Sequence, residues 1–292
     1  MTAAADSSAE RGILAVDMGN SRVKLGWFPA AADCGSDKPA AGTGLEIARP
    51  ALAPPAEWTS IRHRDRQTTE WLSDVHRWCD EAIDSPLWRG VIATVHPAAA
   101  DALESAVARR GGNRLQRIAS ADVPVTATVA HPQRVGADRL LNVLAAKSMV
   151  SSGQVAVVVD MGTAITVDLL DEQGAFAGGA ILPGPSLCAE ALHAGTAALP
   201  DLSANESGDA PAPVGKSTEE AIAAGLYWGA VGATRELCRQ MVAACAAAEQ
   251  VILTGGAASA FEQHLADDAY SLRRMPALTL CGLHLVAQAI DS

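Results

Sequence analysis

Val155-Ala-Val-Val-Val-Asp160-Met161-Gly162-Thr163-Ala164-Ile165-Thr166-Val167-Asp168-Leu-Leu170 is the stretch from which the rest of the chain is best read. A β-branched run stops at an Asp, turns through a glycine and a hydroxyl residue, and resumes as an alternating apolar and polar strand. Such a hairpin suits a phosphate: Gly162 admits close approach of the backbone, Thr163 offers an N–H and a hydroxyl, and Asp160 can bind a cation or its waters. A second copy stands near the start, Leu14-Ala15-Val16-Asp17-Met18-Gly19-Asn20-Ser21. Asp17 and Asp160 lie 143 residues apart, each ending an apolar strand and each followed by a returning one. Duplication of one α/β domain produces that pattern, with two similar halves facing each other across a cleft and one phosphate hairpin in each.

The chain of 292 residues is long enough for two cores. A hydrophobic fraction of 49% with 19% charged residues describes a soluble globular protein. The net charge of −11 speaks against a nucleic-acid partner held by a general basic surface, while leaving room for a small anion in a locally positive pocket. The six cysteines show no C-x-x-C and no His at zinc-finger spacing, and they read as reduced thiols packed as small apolar residues. The first ten residues lack a basic start and a cleavage pattern, and no apolar run reaches membrane-spanning length, so a cytoplasmic protein with no membrane partner is expected.

In chain order, Gly12 to Asp17 and Val23 to Phe28 read as paired strands, with Lys24 on the returning one. Residues 29 to 57, rich in Ala, Pro and Gly, read as a loop with weak strand content. Glu70 to Ile83 has helical spacing, with Trp71, Leu72, Val75, Trp78, Cys79 and Ile83 on one face. A strand at Gly90 to Val95 and a helix at Ala98 to Arg110, stopped by Gly111-Gly112, follow. In Gly136-Ala137-Asp138-Arg139 the Asp can cap the helix that runs to Met149. Its neighbour Arg139 is unusual at a helix start, so the pair also reads as a proton-accepting carboxylate beside an anion-anchoring cation. Ala175 to Leu182 returns as a strand whose Gly178-Gly179 signals a close approach, and Ser186 to Ala194 is a helix. Residues 201 to 213 form a polar loop. Gly215-Lys216-Ser217-Thr218 imitates a P-loop but lacks its first glycine and its strand, and reads as a helix cap with Glu220 in the first turn. A long Ala- and Gly-rich helical region runs on to Ala248, suited to close packing or a dimer face. Val251 to Thr254 enters the Gly255-Gly256 turn, and a helix around Leu283 to Ile290 ends the chain.

Three motifs in this order, Asp17-Met18-Gly19-Asn20-Ser21-Arg22-Val23-Lys24, Gly136 to Arg139 and Asp160 to Asp168, resemble those of the type III pantothenate kinases. Gly178 to Gly184, Gly215 to Thr218 and Thr254 to Gly256 add to the resemblance, which runs from residue 13 to the end. It implies the acetate and sugar kinase/Hsp70/actin superfamily: two duplicated actin-like (ribonuclease H-like) α/β domains, expected at 11–148 and 149–292, with a nucleotide cleft between them. The implied reaction is ATP-dependent phosphorylation of pantothenate to 4′-phosphopantothenate, the first step of coenzyme A synthesis.

By the same resemblance Asp138 is the general base, and Val129, Gly136, Ala137, Arg139 and Thr218 line the pantothenate site. Residues 17 to 24, Thr163, Gly255 and Gly256 serve ATP. Asp160 ligates a monovalent cation, K⁺ or NH₄⁺, used along with Mg²⁺. The assembly implied is a homodimer whose substrate site borders the partner subunit. One departure stands out: many members have a tyrosine, which helps to hold pantothenate, where this chain has Val129. Alternatives on the same fold are a kinase of another small hydroxy acid and a regulatory accessory protein without turnover.

Overall fold

The computed structural model describes residues 12–30, 52–85, 88–111, 114–203, 209–245 and 248–291. Much of the expected loop at 29 to 57, part of the loop at 201 to 213, and Cys34 lie outside the described residues. The chain forms two compact units: one runs to Val123 and takes back the chain from Thr279, and the other is Pro124–Leu278.

The first unit is built on β1 (Gly12–Met18), β2 (Arg22–Phe28), β3 (Glu57–Arg62), β4 (Trp88–Thr94) and β5 (Leu115–Arg117), with α1 (Thr68–Ala82) and α2 (Pro97–Gly111). The sheet order is β3-β2-β1-β4-β5. β1, β2 and β3 form an antiparallel meander, and β4 and β5 extend it in parallel. Central β1 is buried at every position, which explains its continuous apolar run. Its side chains Leu14, Val16 and Met18 pack with Val23, Leu25 and Trp27 of β2 and with Trp71, Leu72 and Val75 of α1. Each fully buried aliphatic side chain in such a cluster contributes about 1.5–3 kcal/mol.

The second unit repeats the plan. α3 (Ala137–Met149) precedes β6 (Val155–Met161), β7 (Ala164–Leu170) and β8 (Phe176–Pro183). α4 (Pro185–Ala194), α5 (Thr218–Ala244), β9 (Ala248–Thr254), α6 (Ala258–Leu265) and β10 (Ser271–Arg274) follow. Its sheet, β10-β9-β6-β7-β8, has the connectivity of the first when β6 is matched to β1: an antiparallel meander on one side and two parallel strands on the other. The expected α/β duplication is therefore present in the strand order itself.

The contacts divide the chain elsewhere than at 148/149. α3 packs on β7 and β6. Ahead of it, the Thr128 N–H donates to Phe176 O and the Phe176 N–H to Thr126 O, so this stretch joins the edge of the second sheet.

The last helix, α7 (Leu278–Asp291), returns to the first unit. The His284 ring stacks on Phe28 with centroids 4.1 Å apart, and Arg89 Nη2 donates to Ala287 O. Burial pushes the His284 pKa down from 6.5 to about 4. The unfolded chain thus binds more protons than the folded one between these values, and stability falls as pH drops from 6.5 towards 4. His284→Leu should flatten this acid limb in thermal unfolding followed across the window; an unchanged limb would assign it to other groups. Burial also pushes the Cys238 and Cys281 thiols up to about 12, as suits packing residues. No helix of the described residues is long and apolar enough to cross a membrane.

Candidate active site

The first hairpin pairs Met18 with Val23 and turns through Gly19–Arg22, with the Gly19 N–H donating to Arg22 O at 3.0 Å. Three neighbours brace the tip. The N–H groups of His63 and Arg64 donate to Ser21 O, the Val95 N–H donates to Met18 O, and His63 Nε2 lies 2.9 Å from Gly19 O. A carbonyl only accepts, so Nε2 carries the ring proton. Burial lowers the His63 pKa; the Gly19 carbonyl acts in the opposite direction, and His96 adds to the fall. Neutral His63 is thus a fixed strut of the tip.

Asp17 and Lys24 face each other across the ladder and form a 3.1 Å ion pair. Arg22 is directed to β3, where Nε donates to Ser60 Oγ and Nη2 to Ser60 O. The Met18 and Val23 side chains are fully buried, so these two residues can offer a ligand only their backbone. Asn20 is exposed.

In the second unit, the Gly162 N–H donates to Ala164 O, closing a tip one residue shorter than the first. The Gly184 N–H donates to Thr163 O at 2.9 Å and ties the start of α4 to that tip. Asp160 Oδ2 accepts from Asn142 Nδ2 at 3.0 Å, whereas Oδ1 is buried with no hydrogen-bond partner. Gly255, at φ 103°, packs against the end of β6, and the Ala257 N–H donates to Met161 O. The Gly255-Gly256 turn is thereby placed beside Asp160 and the second tip.

α3 begins at Gly136, which caps the helix with its backbone alone. Asp138 Oδ1 accepts the Arg139 N–H at 2.9 Å. The Arg139 side chain reaches back to β7, where Nε lies 3.0 and 3.2 Å from the two Asp168 oxygens and Nη2 also donates to Oδ1. The guanidinium carbon stands 5.0 Å from the centroid of the Phe176 ring, a cation–π distance. Asp168 is 0% exposed. Burial raises its pKa, Arg139 and Thr166 pull it down, and the charge of Asp160 adds to the rise. Arg139 and Asn142, three residues apart on one helix, therefore hold the two carboxylates of the second hairpin.

Val129 is half-buried near Gly178, beside the stretch that pairs with Phe176. Thr218 is the exposed first residue of α5. The cap there is Ser217, whose Oγ accepts the Glu220 N–H while Glu220 Oε2 accepts the Lys216 N–H. These two contacts, a Ser217 cap and a Glu220 carboxylate that reaches back to the residue before it, account for the P-loop lookalike.

A family model described as type III pantothenate kinase matches residues 13–240, a span that holds both hairpins and the start of α3. The chain belongs to this type III pantothenate kinase family. A type III pantothenate kinase of Sphingopyxis alaskensis is 34% identical over 292 residues, covering 94% of this chain and 98% of the relative. One of Gluconobacter oxydans is 37% identical over 201 residues, covering 68% of this chain and 71% of the relative. Among solved structures, the ethanolamine utilization protein EutJ of Carboxydothermus hydrogenoformans is similar at a TM-score of 0.48 and 14% identity, covering 96% of this chain and 92% of that one.

Three things at the motifs escape a reading of the sequence alone: His63, Asn142 and the pairing of the motif residue Asp168 with Arg139. Two of them carried a signal. Asn142 is a polar residue inside the buried run Leu140-Leu141-Asn142-Val143, and Asp168 interrupts an apolar strand. His63 lies just past β3, which the apolar pattern does not reveal.

Proposed function

We propose that this chain transfers the terminal phosphoryl group of ATP to the primary hydroxyl of pantothenate, giving 4′-phosphopantothenate at the first step of coenzyme A synthesis. The observation that carries the reading is the family match over 13–240 with both hairpins and Gly136–Arg139 intact. The hydroxyl oxygen attacks the γ-phosphorus, the bond to the ADP oxygen breaks, and the hydroxyl proton passes to the Asp138 carboxylate. The contact of Asp138 Oδ1 with the Arg139 N–H orients that carboxylate at the first turn of α3. The backbone amides of the two hairpin tips, with Lys24 and Thr163, serve the phosphates. Gly136, Ala137, Arg139, Val129 and Thr218 serve pantothenate.

Asp160 suits a monovalent cation because its buried Oδ1 lacks a hydrogen-bond donor, a lack that a cation would satisfy. No three His, Cys, Asp or Glu side chains gather as a metal site among the described residues. Mg²⁺ would therefore be held chiefly through phosphate oxygens and waters, in keeping with its preference for retaining hydration. Bound cations supply positive charge at the transferring phosphoryl group. The dimer reading is supported by exposed Ile181, Leu187, Leu192 and Val214, and by Gly225, Gly229 and Gly232 along α5, where an added Cβ would meet open space. A cytoplasmic setting fits an enzyme working on soluble metabolites.

Pantothenate-dependent ADP release, measured with and without K⁺, tests the kinase reading; its absence under every cation would end it. For the cation site, K⁺ should raise the melting temperature of the wild type by on the order of 3 °C. Asp160→Asn should abolish that rise. A rise retained in the variant would remove Asp160 from the site.

A further inference from the structure

We propose that Asp168 is a positioning residue for pantothenate recognition, acting only by locking the Arg139 guanidinium so that its outer Nη1/Nη2 end is presented to the substrate. This inference rests on the kinase reading and deepens it. Asp168 takes both Nε and Nη2 of Arg139, and Phe176 supports the flat face of the same group. The Arg139 side chain is only 16% exposed and that of Asp168 1%, so the outward part of the pair belongs to the arginine.

The surroundings are shaped around the pair. A Cβ at Gly179 would collide with Val167 O and Asp168 Oδ1, so the glycine opposite Asp168 keeps space for that carboxylate. A guanidinium held along its Nε/Nη2 edge keeps both N–H groups of Nη1 and one of Nη2, so its outer end is a two-nitrogen fork of fixed orientation. That end-on fork fits a carboxylate or another pair of neighbouring acceptors on the substrate. Sequence separation of 29 residues between the partners means that the lock exists only once α3 has docked on β7.

The test is a kinetic cycle on the full-length enzyme with wild type, Asp168→Asn, Asp168→Glu, Arg139→Gln and the double variant Arg139→Gln/Asp168→Asn. Wild-type turnover in this assay reports on the kinase reading alone, and the ratios among variants report on Asp168. Asp168→Asn should raise the KM for pantothenate by roughly tenfold, leave the KM for ATP within about twofold, and be partly rescued by Asp168→Glu. If the single asparagine variant fails to fold because a buried arginine has lost its counter-charge, the double variant removes both charges and remains measurable. In the Arg139→Gln background, Asp168→Asn should change the pantothenate KM by less than about twofold. A further large rise there, or an equal rise in the KM for ATP, would overturn the proposal.

Discussion

Asp138→Asn lowers kcat by about 100-fold or more while leaving the thermal stabilisation by ATP in place. The separation follows from the local geometry. Asp138 Oδ1 accepts the Arg139 N–H within the first turn of α3, and an asparagine carbonyl can accept the same N–H. The helix start and the Arg139–Asp168 pair therefore survive, and what disappears is the carboxylate proposed to receive the hydroxyl proton. A first-turn Asp also complements the helix dipole, so a modest loss of stability is compatible with either role. Turnover decides between them: kcat retained within a few-fold would reduce Asp138 to a helix cap.

Gly255→Ala should be the most destabilising single change near the second hairpin, by roughly 2–5 kcal/mol in urea unfolding. Gly255 sits at φ 103°, a region that L side chains rarely adopt. A Cβ there would lie 2.5 Å from both Met161 N and Met161 O and 2.6 Å from Asp160 Oδ1. Met161 is fully buried at the end of central β6, so its backbone has nowhere to move. The same Cβ presses on the carboxylate assigned to the cation, and the K⁺-dependent stabilisation should fall with the fold's stability. Gly256→Ala is the control: an added Cβ meets nothing within 4 Å, and its effect should stay within about 0.5 kcal/mol. Equal effects at the two positions would contradict the packing described.

The elements that were legible in the sequence are those whose burial writes a pattern. β1 and β6 are buried nearly throughout and appear as β-branched or apolar runs, and the apolar face of α1 shows at helical spacing. β3, β5, β10 and α6 leave no such pattern. β3 and β10 are half-buried to exposed edge strands, and β5 spans three residues, so none carries enough apolar alternation to be seen. α6 is short, and its start follows the Gly255-Gly256 turn without a side-chain cap.

Which sheet receives α3 is hidden in the sequence for a related reason. Helix periodicity shows that α3 has an apolar face, but it does not say which sheet receives that face. The candidate site shows the same boundary between local and tertiary information. The duplicated hairpins and Gly136–Arg139 are contiguous motifs and were visible. The partners that fix them, Asp168 for Arg139 and Asn142 for Asp160, stand 29 and 18 residues away and meet only after α3 docks on β6 and β7.

The central claim is that phosphoryl groups leave ATP for the hydroxyl of pantothenate, and ³¹P NMR of the complete reaction tests it most directly. With pantothenate, ATP, Mg²⁺ and K⁺ present, one new phosphomonoester signal should grow in equal measure with ADP, and it should be nearly absent with Asp138→Asn. ADP accompanied only by inorganic phosphate, or no consumption of ATP when pantothenate is supplied, would contradict the account.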